Sequence, residues 1–323
     1  MNTPHTALAN APLVVALFPG QGSQRVGMGK ELAERSPLAR ELFDRADAAL
    51  GFSLSRLCFE GPAEELTKTE IAQPAILTVS TICYQLLLEQ TPFTLACAAG
   101  HSLGEYSALV ATNALSFEDA VRLVHHRGQY MQTAVPAGVG KMAAVMGKDI
   151  AALEAARAQV TTGVVDIANN NSLGQIVISG DTAAVDELLQ LLAPVKSIEL
   201  PVSAPFHCAL MQPAADRLRA EIATTSFCNP TAPIIANVTA APTQSASEIK
   251  ELLYHQVCGT VRWVESMQYA ATFAPSAQWI EFGYGTTLAG LMKRIDPAIK
   301  IAGTQSLDEI GGVTTMLGGG IAA

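Results

Sequence analysis

Phe93-Thr-Leu-Ala-Cys-Ala-Ala-Gly100-His-Ser102-Leu-Gly104-Glu-Tyr-Ser-Ala-Leu-Val-Ala-Thr112 is the stretch on which the fold turns. The apolar run at 93–99 is long enough for a buried strand, and 105–112 reads as the start of a helix. Between them lies Gly100-His101-Ser102-Leu103-Gly104. Strand, G-x-S-x-G, helix is the setting of a nucleophile elbow. The turn is tight enough to strain the serine backbone. Glycines two residues either side let the neighbouring chain pass without a Cβ clash. Ser102 Oγ is then presented at the strand end, beside helix amides that favour developing negative charge.

The rest of the chain is consistent with a large buried sheet. It has 323 residues, 49% hydrophobic and only 15% charged. A chain of this length buries a sizeable core as one large domain, or as one carrying a smaller insertion. The formal net charge of −9, with no basic-aromatic stripe, argues against nucleic acid as a partner. Cys58, Cys83, Cys97, Cys208, Cys228 and Cys258 form no C-x-x-C pair and read as reduced core residues of a cytoplasmic protein. No H-E-x-x-H or D-x-D cluster suggests a metal. The first apolar run lacks a basic leader, and no run of 18 apolar residues suggests a membrane span. Residues 1–11 and 317–323 are expected to be flexible.

Leu13-Val-Val-Ala-Leu-Phe18 reads as a strand buried on both faces, as in a parallel sheet, followed by Pro19-Gly-Gln21-Gly-Ser-Gln24. Helices are expected at 31–50, 60–66, 74–88 and 116–131, the last capped by Ser116 and carrying Arg127 near its end. Gln73 stands at a helix start, as a cap or facing a cleft. From 141 to 200 the pattern becomes β-α-β-β-α-β, the split βαβ or ferredoxin-like unit. The fold class is therefore α/β: a core with a parallel sheet, in two segments at 12–136 and 203–310, and an inserted ferredoxin-like subdomain at 137–202. Gly138, Gly140 and Pro201 are the expected hinges. The chain returns through Ala204-Pro-Phe-His207, and His207 is the histidine best placed to serve Ser102 as a base. His101 is expected to point away from Ser102. Strands at 233–238 and 278–282 and helices at 249–256, 263–273, 288–295 and 308–316 complete the core, with Thr286 as a cap. No acid stands at an obvious place for a full triad.

Phe18-Pro-Gly-Gln-Gly-Ser-Gln24, Gly100-His-Ser-Leu-Gly104, Arg127 in His126-Arg-Gly-Gln-Tyr-Met-Gln132, Ala204-Pro-Phe-His207 and Glu281-Phe-Gly-Tyr-Gly285 occur in one order in one chain. Together they resemble the malonyl-CoA:acyl-carrier-protein transacylase family of bacterial type II fatty acid synthesis, over about 13–307. The resemblance implies an α/β-hydrolase-like core, with Ser102 as nucleophile and His207 as base, oriented by the backbone carbonyl of Gln256. It implies an oxyanion hole from the amides of Gln21 and Leu103. Arg127 would grip the malonyl carboxylate, with Gln73, Met131, Asn171, Phe206 and His101 around the pocket. It also implies malonyl-CoA and CoA as substrate and product, with no permanent cofactor. The phosphopantetheine form of acyl carrier protein would be the partner, and the enzyme a monomer. A serine esterase or thioesterase with the same elbow, or a transacylase subunit of a polyketide synthase or malonate decarboxylase, is the alternative.

Overall fold

Leu13–Phe18 forms β1, buried at five of its six positions. It lies in the middle of a sheet, as its lack of alternation requires. A computed structural model of the chain describes residues 11–136, 138–202 and 204–318. The remaining strands are β2 (Thr94–Gly100), β3 (Gly140–Met146), β4 (Val165–Ser172), β5 (Gln175–Asp181), β6 (Lys196–Glu199), β7 (Ile234–Ile235), β8 (Pro242–Thr243), β9 (Gln278–Glu281) and β10 (Ile301–Gly303). They make two sheets. The larger has the order β10-β9-β1-β2-β7-β8, parallel except for the β7–β8 edge. The smaller, β4-β5-β3-β6, is antiparallel throughout. Helices cover the larger sheet. Among them Thr69–Gln90 is the one described helix long and apolar enough to cross a membrane, and it is buried along most of its length.

Several expected elements shift for local reasons. The helix expected at 31–50 is two helices, Lys30–Arg35 and Pro37–Leu50. Pro37 pushes the residue before it out of helical conformation, and Ser36 instead caps the second helix by accepting from the Ala39 amide at 3.2 Å. The helix expected from Pro74 begins five residues earlier, at Thr69, with Pro74 inside it. Proline has no N–H for the Glu70 carbonyl, and His125 Nδ1 donates to that carbonyl at 2.7 Å. Thr286 makes no side-chain cap. Glu281, at the end of β9, accepts from the amides of Leu288 and Ala289 at 3.0 and 2.9 Å.

The chain boundaries also differ from expectation. Helix Leu307–Met316 packs on Thr69–Gln90 through Thr314 Oγ1 and Gln90 Oε1 at 2.9 Å, and Leu317 is buried. The large core therefore runs past 310, and a loose end does not begin at 317. Residues 1–10 and 319–323, the rest of the expected flexible ends, lie outside the described residues. The small sheet is also attached by more than its two entry points. Val261 bridges to β4, giving its amide to Ala168 O and taking that of Asn170, both at 2.9 Å. Val261 thus gives the small sheet a third attachment besides the expected hinges at Gly138, Gly140 and Pro201.

Glycine is required where β2 meets the next helix. A Cβ on Gly104 would stand 2.0 Å from the Phe18 carbonyl oxygen, and one on Gly100 would stand 1.8 Å from the Gly104 carbonyl carbon. Both obstacles are backbone, so no side-chain rotation relieves them. Gly104→Ala is expected to destabilise the protein by about 3 kcal/mol. The check is the urea midpoint, and an unchanged midpoint would show that β1 and the elbow separate without cost.

Candidate active site

The site lies at the carboxyl ends of the parallel strands, where open α/β sheets bind ligands. β2 ends at Gly100, and Ser102 follows with φ of +52°, in the left-handed region. A serine is held there only by its surroundings. Asn237, just beyond β7, provides them. Its Oδ1 accepts from the Ser102 amide at 2.7 Å and its Nδ2 donates to the Gly100 carbonyl at 2.7 Å. The hydroxyl is thereby turned off the strand end and toward the opposite loop.

That loop carries His207, also left-handed at φ +60°. His207 Nε2 lies 2.8 Å from Ser102 Oγ. Nδ1 faces two carbonyl oxygens, of Gln256 at 2.9 Å and Gly259 at 3.2 Å. A carbonyl only accepts, so the ring proton resides on Nδ1 and Nε2 is free to accept from the serine. Burial, then the nearby Arg127 charge, pushes the imidazole pKa down to about 3. The ring is neutral at physiological pH.

Arg127, on helix Phe117–Gln132, is almost fully buried. Nη1 donates to Gln73 Oε1 at 2.8 Å. Nη2 donates to Ser102 Oγ and to Gln256 Oε1, each at 3.0 Å. The Tyr106 ring lies 5.6 Å from the guanidinium. Nε has no partner among the described residues. A buried cation is normally paired with an anion, yet every group that Arg127 touches is neutral. Burial lowers its pKa, opposed by Tyr106 and Glu105. The nearest carboxylate, Glu105, is one side chain removed, and its Oε2 accepts from Gln256 Nε2 at 2.8 Å.

Ser102, His207 and Arg127 open into one cavity of about 340 Å³. One wall comes from the large sheet and its loops, the other from the small sheet through Met142, Asn169, Asn171 and Val177. The family model of the acyl transferase domain matches residues 15–288. Malonyl CoA-acyl carrier protein transacylase of Escherichia coli (strain K12) is 44% identical over 283 residues, covering 86% of this chain and 91% of that one. The protein of the same name from Bacillus subtilis (strain 168) is 46% identical over 292 residues, covering 89% and 92%.

The chain belongs to the malonyl CoA-acyl carrier protein transacylase family. Among solved structures, the acyl-carrier-protein-S-malonyltransferase of Bartonella henselae superposes with a TM-score of 0.91 at 41% identity, covering 94% of this chain and 99% of that one. A malonyl-transacylase in complex with a type II polyketide acyl-carrier protein superposes with a TM-score of 0.89 at 38% identity, covering 94% and 98%.

In this transacylase family member the structure brings the expected residues together. Gln21, Gln73, His101, Ser102, Leu103, Arg127, Met131, Asn171, Phe206 and His207 all line the cavity. Gln256 stands behind it, reaching His207 through its backbone and Arg127 through its side chain. His101 Nε2 is engaged by Asn171 Oδ1 at 2.7 Å and its ring lies against Trp263. Among the described residues, neither the Gln21 nor the Leu103 amide donates to a backbone carbonyl.

Three participants escaped the sequence reading: Asn237, Gly259 and Glu105. Asn237 had a usable signal, a polar residue just past the apolar run at 233–236. Glu105 had another, a lone carboxylate in a helix whose eight residues, Gly104–Ala111, are all buried. Gly259 had none.

Proposed function

We propose that this protein transfers a malonyl group from malonyl-CoA to the phosphopantetheine thiol of an acyl carrier protein, through a malonyl ester on Ser102. One observation carries the reading. Ser102 Oγ is within hydrogen-bond reach of a neutral imidazole nitrogen and of a buried guanidinium that has no carboxylate partner among the described residues. The first makes the hydroxyl a nucleophile, and the second receives a substrate that brings its own carboxylate.

In this reading His207 Nε2 takes the Ser102 proton as Oγ attacks the thioester carbon. The amides of Gln21 and Leu103 stabilise the oxyanion, each donor contributing about 3 kcal/mol. The tetrahedral intermediate collapses, the C–S bond breaks, and the imidazolium returns its proton to the CoA sulfur. The carrier-protein thiol then attacks the ester and the same steps run in reverse. The Ser102–His207 pair works as a dyad, with the Gln256 carbonyl in the place of a triad acid. Two carbonyls at Nδ1, rather than a carboxylate, favour this over the esterase alternative. Gln73 steadies Arg127, and Met131, Asn171, Phe206 and His101 shape the pocket.

The finer architecture belongs to the same reading: an α/β-hydrolase-like core in two segments and a ferredoxin-like insertion at 137–202 that supplies the second wall. So do a monomeric, cytoplasmic enzyme and the lack of a permanent cofactor. Intact-mass measurement after mixing with malonyl-CoA tests the central claim. One malonyl group should add to the protein, disappear on adding the phosphopantetheine form of the carrier, and fail to form on Ser102→Ala. An adduct lost equally fast without the carrier would make the protein a hydrolase.

A further inference from the structure

We propose that Glu105 is a positioning residue for this transfer, its acceptor oxygen holding the Gln256 side chain in the one orientation that serves Ser102, His207 and Arg127 together. The inference rests on the transfer reading above. It begins from a buried carboxylate in the first turn of the helix after the elbow, with no cation touching it among the described residues. Glu105 Oε2 accepts two hydrogen bonds, from Gln256 Nε2 at 2.8 Å and from the Asn237 amide at 3.1 Å.

Each of those donors leads to the nucleophile. Asn237 clamps the elbow through the Ser102 amide and the Gly100 carbonyl. Gln256 does more. Its Nε2 also donates to the Ser102 carbonyl at 2.9 Å, its Oε1 accepts from Arg127, and its backbone oxygen accepts from His207 Nδ1. A glutamine amide has two faces, and turning it over exchanges donor for acceptor. An ionised carboxylate only accepts and a guanidinium only donates. Placed between Glu105 and Arg127, the amide has a single arrangement without a donor facing a donor. Glu105 thus reinforces the orientation that Arg127 and the Ser102 carbonyl favour, without itself contacting Arg127. A carboxylate in direct contact with Arg127 would compete with the substrate. One amide away, it supplies the charge without taking a donor of Arg127.

The titratable groups around Glu105 are Arg127, on helix Phe117–Gln132, and Tyr106 on its own helix. From the segment after β7 and from helix Ala246–Gln256 come neutral donors. Burial pushes the Glu105 carboxyl up to about 7, opposed by the bonds from Gln256 and Asn237 and by the Arg127 charge. Protonation takes the charge from the two bonds that Glu105 accepts and loosens its hold on Gln256 and Asn237, while Arg127 and the Ser102 carbonyl still favour the same face of the amide. His207, held near 3, does not titrate in the same range.

The test is the pH profile of Ser102 acylation in single turnover, for the wild-type chain and Glu105→Gln. Malonyl-N-acetylcysteamine is the donor, because it lacks the titrating phosphate of CoA. The wild-type rate constant is expected to fall about five- to tenfold from about pH 8 to about pH 6, as one proton is taken up. Glu105→Gln carries an amide where the acid would be neutral. It should run flat across that range, near the acid-side value of the wild type. A flat wild-type profile, or the same limb in Glu105→Gln, overturns the inference while leaving malonyl transfer intact. No malonyl-serine at any pH would overturn the transfer reading itself.

Discussion

His207→Ala is expected to lower the rate of Ser102 acylation by about 10²- to 10⁴-fold, the loss typical of a positioned general base. Its surroundings give it a single tautomer. Nδ1 is held by the Gln256 and Gly259 carbonyls, so Nε2 meets the hydroxyl with its lone pair at 2.8 Å. With its pKa pushed down to about 3, no fraction of the ring is lost to protonation near neutrality. The residues remaining near Oγ after the substitution offer no substitute, because Arg127 only donates. Folding should suffer less than catalysis. The buried Gln256 carbonyl and the half-buried Gly259 carbonyl lose a partner, at about 1–3 kcal/mol. Added imidazole has both those carbonyls as acceptors and the vacated space to enter, so partial rescue of acylation is expected. Time-resolved intact mass reads both effects. Acylation within tenfold of wild type would mean that another group takes the proton.

The elbow was legible in the sequence because it is a backbone problem solved locally. Gly100, Ser102 and Gly104 lie within five residues, and the clashes that a Cβ would cause at the two glycines lie in the turn itself and in the adjoining β1–loop junction. Long apolar runs such as Leu13–Phe18 identified the parallel sheet for the same reason. Arg127 shows the limit. Its position near the end of an amphipathic helix reads as an exposed cation, and only the resemblance assigned it a carboxylate. Its burial follows from Gly128, whose missing side chain lets the helix lie against Glu70, where a Cβ would stand 2.5 Å from that residue's Cα. The supports around the nucleophile were harder to foresee. Asn237 and Gln256 reach Ser102 across 135 and 154 residues of chain. No local pattern records such a contact. β10 has three residues, too few to display a period. Thr286 carried a normal capping signal that lost to Glu281, because two bonds from the helix amides to one carboxyl group outweigh one hydroxyl.

Arg127→Ala is expected to cut kcat/KM for malonyl-CoA by about 10³-fold while acetyl-CoA transfer stays within a fewfold of wild type, so that selectivity collapses. The guanidinium now touches Gln73, Gln256 and Ser102, all neutral, and its Nε has no acceptor among the described residues. A malonyl carboxylate supplies two acceptors in the plane of the fork. An acetyl group supplies none and leaves the buried charge as poorly matched as before, so the site is expected to discriminate. The size of the effect follows from burial: the same pair at a wet surface would contribute at most about 1 kcal/mol. Arg127→Lys keeps a charge but not the planar fork, and its shorter set of donors cannot hold Gln73, Gln256 and the substrate at once. It should recover only part of the malonyl rate. Stability separates this role from a structural one. Removing a buried cation that no carboxylate contacts relieves desolvation, so the Arg127→Ala chain should melt no more than a few degrees below wild type. Parallel kcat/KM values for the two thioesters decide the matter. A malonyl-to-acetyl ratio unchanged in Arg127→Ala would mean that the carboxylate is read elsewhere in the cavity, with Asn171 and His101 the next groups to examine.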